Sequence, residues 1–138
     1  MDDLVQYRLS SAKERLESAR LLLDAGQYKD SIGRSYYAIF TAVRAVLARD
    51  QVDFSKHAGV IAYFQREYIK SAIFDIKYSK ILQRAFQIRN NCDYDDFFIV
   101  SKEDATEQYK NAVDMVQAIE TYIKPVSYTH LRAHETTL

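Results

Sequence analysis

Turn formers are nearly missing from this chain: three glycines and one proline in 138 residues. That leaves little material for the many tight turns of a β-sandwich or barrel, and it lets long stretches run as unbroken helix. The single cysteine, Cys92, rules out an internal disulfide and fits a reducing, cytoplasmic compartment. No apolar run approaches the ~20 residues that a membrane span requires. The acidic start Met1-Asp2-Asp3-Leu4 leads into no apolar stretch of the secretory kind. No excess of one charge exists either. Nineteen Lys and Arg balance nineteen Asp and Glu, so the whole molecule carries no broad basic footprint and any RNA contact must be local. Phosphate-loop, dinucleotide-binding and zinc-cluster spacings are absent, and neither cofactor nor metal is expected.

What remains is ordinary for a globular domain with one core, 48% hydrophobic and 28% charged. Its aromatics are biased, with eleven Tyr to seven Phe and no Trp. A tyrosine can bury its ring while its hydroxyl meets a polar edge. Five segments carry helical periodicity. Val5, Leu9, Ala12, Leu16, Ala19 and Leu23 form the first stripe, and Gly26 is a natural stop. A second helix over 28–49 carries Ile32, Tyr36, Ile39, Phe40, Val43 and Leu47, and its closeness to Gly26 implies an antiparallel hairpin. Ser55 is placed to cap a third helix with Val60, Ile61, Phe64 and Tyr68. The stretch 71–78 reads as a break or a short turn. A fourth helix over 79–93 aligns Leu82, Phe86, Arg89 and Asp93 beside a stripe of Ile81, Ala85, Ile88 and Cys92. Ser101-Lys102-Glu103-Asp104 resembles a capping box. It opens a fifth helix with Ala105, Tyr109, Ala112, Val116, Ile119 and Ile123, closed by Pro125. One wet face and one dry stripe per helix predict an all-α, up-and-down bundle of four to five helices over residues 1–125.

Residues 126–136, Val-Ser-Tyr-Thr-His-Leu-Arg-Ala-His-Glu-Thr, resemble one reading frame of a sequencing adapter, so 126–138 is expected to be a non-native tail. His130 and His134 have a spacing that suits metal ligands on a helix, but they fall in this tail. Outside it, His57 is the one histidine.

Three segments in register resemble the HEPN superfamily, in its branch of small stand-alone prokaryotic proteins. They are Arg34-Ser35-Tyr36-Tyr37-Ala38-Ile39-Phe40, Ser55-Lys56-His57-Ala58-Gly59-Val60-Ile61 and Arg89-Asn90-Asn91-Cys92-Asp93-Tyr94-Asp95. The resemblance implies a helical bundle, commonly a homodimer. In nuclease members it implies metal-free RNA cleavage at a cleft between protomers, marked by Arg, a polar residue and a following His. Arg89 and Asn90 match that signature, but 93–95 holds no histidine. In toxins paired with a minimal nucleotidyltransferase, a tyrosine just past the signature is modified with AMP, and Tyr94 lies near that place in a shifted register. A core or dimer-edge tyrosine is the plainer reading of Tyr94.

Arg89 and Asp93, four apart, share one helix face. They read either as a structural ion pair or, with Asn90, as an anion clamp for RNA phosphate or a nucleotide. Cleavage also needs a base and an acid. Asp93 as the base would have to act beside the opposing charge of its arginine neighbour. His57 could serve if it lies near Arg89, although a residue at a helix start is more simply a partly exposed one. From Arg66 to Arg89 six basic residues face two acids, a net +4, and from Asp93 to Glu107 six acids face Lys102, a net −5. This pattern is solvated surface in the plain reading, and dimer complementarity or an RNA contact in the alternatives. The leading expectation is a dimeric interaction module or toxin-like component paired with a nucleotidyltransferase. The alternatives are a metal-independent endoribonuclease using Arg89, Asn90 and Asp93, and a nucleotide-binding bundle.

Overall fold

The structure is a computed structural model and describes residues 2–124. Five helices make it up: α1 (Asp3–Asp24), α2 (Tyr28–Arg49), α3 (His57–Phe64), α4 (Ile76–Tyr94) and α5 (Lys102–Ile123). The arrangement is an all-α bundle, and no strand occurs among the described residues.

The α2 sequence explains its central place. Ala38, Ile39, Phe40, Ala42, Val43 and every residue from Ala45 to Ala48 are buried, so the helix is dry nearly all round and needs neighbours on several sides. Its small residues admit α1 closely along Val5, Leu9, Ala12 and Ala19, while α5, α4 and α3 cover the remainder. The α1–α2 hairpin turns through Gly26 at φ 78°, a left-handed conformation that glycine adopts without strain. Deep in this hairpin, Ser31 Oγ donates to the carbonyl of Ala19 at 2.8 Å.

The expected stripes of α1, α2 and α5 are the buried ones, apart from Leu16, Leu23, Tyr109 and Ile123, which are half-buried. Three local expectations need correction. Ser55 caps nothing: α3 begins at His57, with Lys56 at the cap position and no side-chain bond. Asp53 shapes that turn instead, accepting from the Phe54 amide at 2.8 Å and from Arg44 at 2.9 Å. The α4 helix starts three residues early, at Ile76, because Asp75 Oδ1 accepts from the Lys77 amide at 2.9 Å; Ser79 is buried inside it. Finally, regular α-helix ends at Phe64, and a π-helical segment, Gln65–Ile69, follows. The extra residue in that turn brings both Tyr68 and Ile69 into the core.

Ser101 does cap α5, its Oγ accepting from the Asp104 amide at 3.0 Å. Ser101→Ala is expected to cost about 1 kcal/mol, read as a lower urea midpoint at unchanged slope; an unmoved midpoint would show that the cap contributes nothing. No helix among the described residues is long and apolar enough to cross a membrane.

Candidate functional site

The three segments singled out in the sequence meet at one place. The adjacent Tyr36 and Tyr37 diverge by about 100° around α2. Tyr36 therefore goes into the core, at 1% exposure, while Tyr37 is half-buried. Their rings lie edge to face, 5.2 Å apart. From α4, the Arg89 guanidinium sits 5.4 Å from each ring centroid, within range for a cation–π attraction. From the start of α3, the His57 ring packs 4.1 Å from Phe40.

Arg89 is tied on every side. Nη2 donates to Tyr37 Oη at 2.8 Å and Nη1 to Asn90 Oδ1 at 3.3 Å. Nε lies 2.9 Å from Asp93 Oδ2, yet its N–H is not aimed at an acceptor. The Asp93 contact is therefore a close charge pair rather than an aligned hydrogen bond. With its side chain 17% exposed against 47% for Asp93, Arg89 needs these partners, because an unpaired buried guanidinium is costly. The structural ion pair is thus present, and Asn90 serves Arg89 instead of standing free.

His57 joins the same cluster through Tyr36, whose Oη lies 3.0 Å from His57 Nδ1. Burial pushes the Tyr36 pKa well above the ordinary phenol value, so the hydroxyl keeps its proton. Donating that proton to Nδ1 leaves the proton of the neutral ring on Nε2. Burial first, then the charges of Arg89 and Arg44, hold the His57 pKa below its usual range. The ring is neutral at pH 7 and presents Nε2–H as a donor. Such a group can bind an anion, but in this tautomer it has no free lone pair to act as a base.

Tyr94 stands apart. It ends α4 at 79% exposure, which overturns the core reading. It opens a segment in which Phe97 and Ile99 are 91% and 87% exposed. Cys92 is half-buried, and burial raises its thiol pKa, so it is a poor nucleophile. His130 and His134 lie outside the described residues. The sequence did not reveal the hydroxyls of Tyr36 and Tyr37 as partners of His57 and Arg89. The one available signal was their adjacency on a helix, which forces one ring outward.

The profile of the family described as "HEPN domain" matches residues 5–131. The chain belongs to the HEPN family. Among its relatives, a "UPF0332 protein" of Thermotoga maritima is 32% identical over 123 residues, 89% of this chain and 93% of that protein. A "UPF0332 protein" of Archaeoglobus fulgidus is 32% identical over 117 residues, 85% of this chain and 92% of that one. A Methanocaldococcus jannaschii protein bearing the name "Putative toxin" is 31% identical over 90 residues, 65% of this chain and 67% of that one. Within this HEPN chain, the family-like segments are the ones that build the Arg89 cluster.

Proposed function

We propose that this chain is a toxin-like HEPN protein that acts as a homodimeric interaction module, paired with a minimal nucleotidyltransferase. The observation that carries this reading is the closure of the Arg89 network. Tyr37, Asn90 and Asp93 occupy the guanidinium, and Tyr36 occupies His57 Nδ1. A site meant to move protons needs a free base; here His57 Nδ1 is taken by Tyr36 and the one carboxylate, Asp93, lies against the Arg89 charge. Tyr94, by contrast, stands in solvent one residue past Asp93, where a modifying enzyme can reach its hydroxyl. The exposed Phe97 and Ile99 beside it offer apolar surface for a second protomer to cover. Relatives bearing the name "Putative toxin" support the toxin-like part.

The test is to incubate the purified protein with ATP and the minimal nucleotidyltransferase encoded nearest to it, then to map the product by mass spectrometry. Adenylate on Tyr94, lost in Tyr94→Phe, is the expected result. A protein that neither binds the partner nor accepts adenylate would overturn the pairing.

One observation favours a second reading, metal-independent RNA cleavage: His57 lies in the Arg89 cluster despite sitting 32 positions earlier in the chain. If its proton moved to Nδ1, Nε2 would be free to accept one from a ribose hydroxyl, while Arg89 faced the phosphate. Total RNA in EDTA separates the two readings. The interaction module leaves it intact. The nuclease cuts it and loses activity about a hundredfold or more in both His57→Ala and Arg89→Ala.

A further inference from the structure

Where α4 begins, a groove of about 450 Å³ opens against the last turns of α5. Phe74, Tyr78 and Tyr122 form an aromatic wall, and Ile73 and Ala118 extend it. The chain enters through a turn at Ala72, whose φ is 66°. Two backbone bonds fix that turn: the Ala72 amide donates to the Ile69 carbonyl at 2.9 Å, and the Phe74 amide to the Tyr68 carbonyl at 2.8 Å. Phe74 is thereby sunk to 7% exposure, while Ile73 beside it stays 48% exposed. An apolar rim thus stands over an aromatic floor. The groove is at the far end of α4 from Tyr94, about 27 Å away at the usual helical rise, and no residue of the Arg89 cluster lines it.

Its charged lining is of one sign. Asp75 and Asp114 line the groove, and no Lys, Arg or His does. Asp75 Oδ1 caps α4 by accepting from the Lys77 amide. The Lys77 ammonium, however, goes to Asp114, with Nζ 3.1 Å from Oδ2, so no ion pair engages Asp75 among the described residues. The α5 helix ends here without a basic residue in its last turn, and the partial negative charge of a helix C-terminus favours a cation.

The rings in this corner already attract cations. Lys77 Nζ lies 5.0 Å from the Tyr78 centroid, and the Arg49 guanidinium 4.9 Å from that of Tyr122, both within cation–π range. Lys77 is in effect a tethered alkylammonium, held by one ring and one carboxylate at the edge of the groove. Its side chain is 56% exposed, so the pair is weak and water can take over the ammonium if another cation displaces it.

We propose that this groove binds a polyamine: one ammonium displaces Lys77 from Asp114 and Tyr78, a second pairs with Asp75, and the methylenes lie along Ile73 and Phe74. Two carboxylates beside aromatic and apolar walls suit an aliphatic chain with more than one ammonium. They suit an inorganic cation poorly, since Mg²⁺ keeps its waters and gains nothing from such walls, and no group of three or more His, Cys, Asp or Glu placed to hold a metal occurs among the described residues. This goes beyond the paired-toxin reading and stands without it.

The experiment is calorimetric titration of the full chain with spermidine and, in parallel, with Mg²⁺, alongside NMR of the tyrosine rings. Spermidine should bind saturably at about millimolar concentration or below. It should shift the ring signals of Tyr78 and Tyr122 but not those of Tyr7, which stands 71% exposed on α1. Asp75→Asn keeps a capping oxygen and removes the charge; Tyr78→Leu keeps an apolar side chain and removes the ring. Each should weaken binding about fivefold. Lys77→Gln removes the internal competitor and should tighten binding about threefold. Glu103→Gln, in the first turn of α5 and so at the other end of that helix, should change nothing. Asp75 and Lys77 are both exposed, so their variants decide the matter even if Tyr78→Leu melts early. The proposal falls if spermidine shows no saturable binding, if Mg²⁺ at equal concentration displaces it, if Asp75→Asn folds and binds like the parent, or if Lys77→Gln binds more weakly.

Discussion

Tyr36→Ala lowers the unfolding free energy by roughly 3–5 kcal/mol, the range for truncating a fully buried aromatic ring. The ring is 1% exposed and sits among Tyr37, Phe40, Phe86 and His57, with centroids between 5.2 and 6.2 Å away. Its removal leaves a cavity where α2, α3 and α4 meet, and it strips Arg89 of one of its two aromatic faces. Because small domains are often stable by only about 5–15 kcal/mol, such a variant is expected to be partly unfolded at 37 °C. Tyr36→Phe is the informative companion. It keeps the packing and removes only the bond to His57 Nδ1, costing about 1 kcal/mol. Without that donor nothing holds the ring proton on Nε2, and it is freed to occupy Nδ1, while burial and the charges of Arg89 and Arg44 still keep the His57 pKa low. Urea titration measures the first effect, and the NMR shifts of the His57 ring nitrogens, which report the tautomer, measure the second. A Tyr36→Ala midpoint close to that of the parent would contradict the placement of this ring. An unmoved His57 in Tyr36→Phe would contradict the hydrogen bond.

The difference between those variants follows from what a sequence can and cannot show. The bounds of α2 were legible because its apolar stripe is long and Gly26 ends the preceding helix. The Arg89–Asp93 pair was legible because residues four apart on a helix are neighbours whatever the tertiary packing. Tyr37 and Arg89 are 52 residues apart, and Tyr36 and His57 are 21 apart. Only the packing of α4 and α3 on α2 brings those pairs together. The Arg8–Arg44–Asp53 clasp was hidden for the same reason. The π-helical segment escaped notice because Val60, Phe64 and Tyr68 keep a step of four that suits an α-helix equally well. At the start of α3, Ser55 is a good capping residue in the wrong place. Asp53 closes the turn before it by accepting from both Phe54 and Arg44, and α3 then begins at His57, two residues past Ser55, with no side-chain cap.

The tyrosine-rich composition should show itself most strongly above about pH 10, where the domain is expected to lose stability steeply. Burial, above all, raises the pKa of Tyr36, Tyr63, Tyr68 and Tyr78. For Tyr63 and Tyr68 the next cause is donation to the same Asp50 carboxylate, since a phenolate facing that anion would be repelled. For Tyr78 it is donation to Asp114, at 2.9 Å. In the unfolded chain these hydroxyls ionise near pH 10. Above that value the unfolded state binds fewer protons than the folded one, so stability falls as pH rises; below it both states are protonated and the effect vanishes. Tyr36 and Tyr68, at 1% and 4% exposure, are the best shielded. Each can contribute a slope of up to about 1.4 kcal/mol per pH unit. Tyr63 and Tyr78, which are half-buried, add to the fall in the same direction. Urea midpoints should therefore be nearly flat up to about pH 9 and drop sharply beyond pH 10. The double variant Tyr36→Phe/Tyr68→Phe starts from a lower midpoint, having lost two hydrogen bonds, yet its alkaline slope should be markedly shallower. An equal slope in parent and double variant would place these protons elsewhere, and with them the claim that the buried tyrosines tie α2 to α3 and to the π-helical segment.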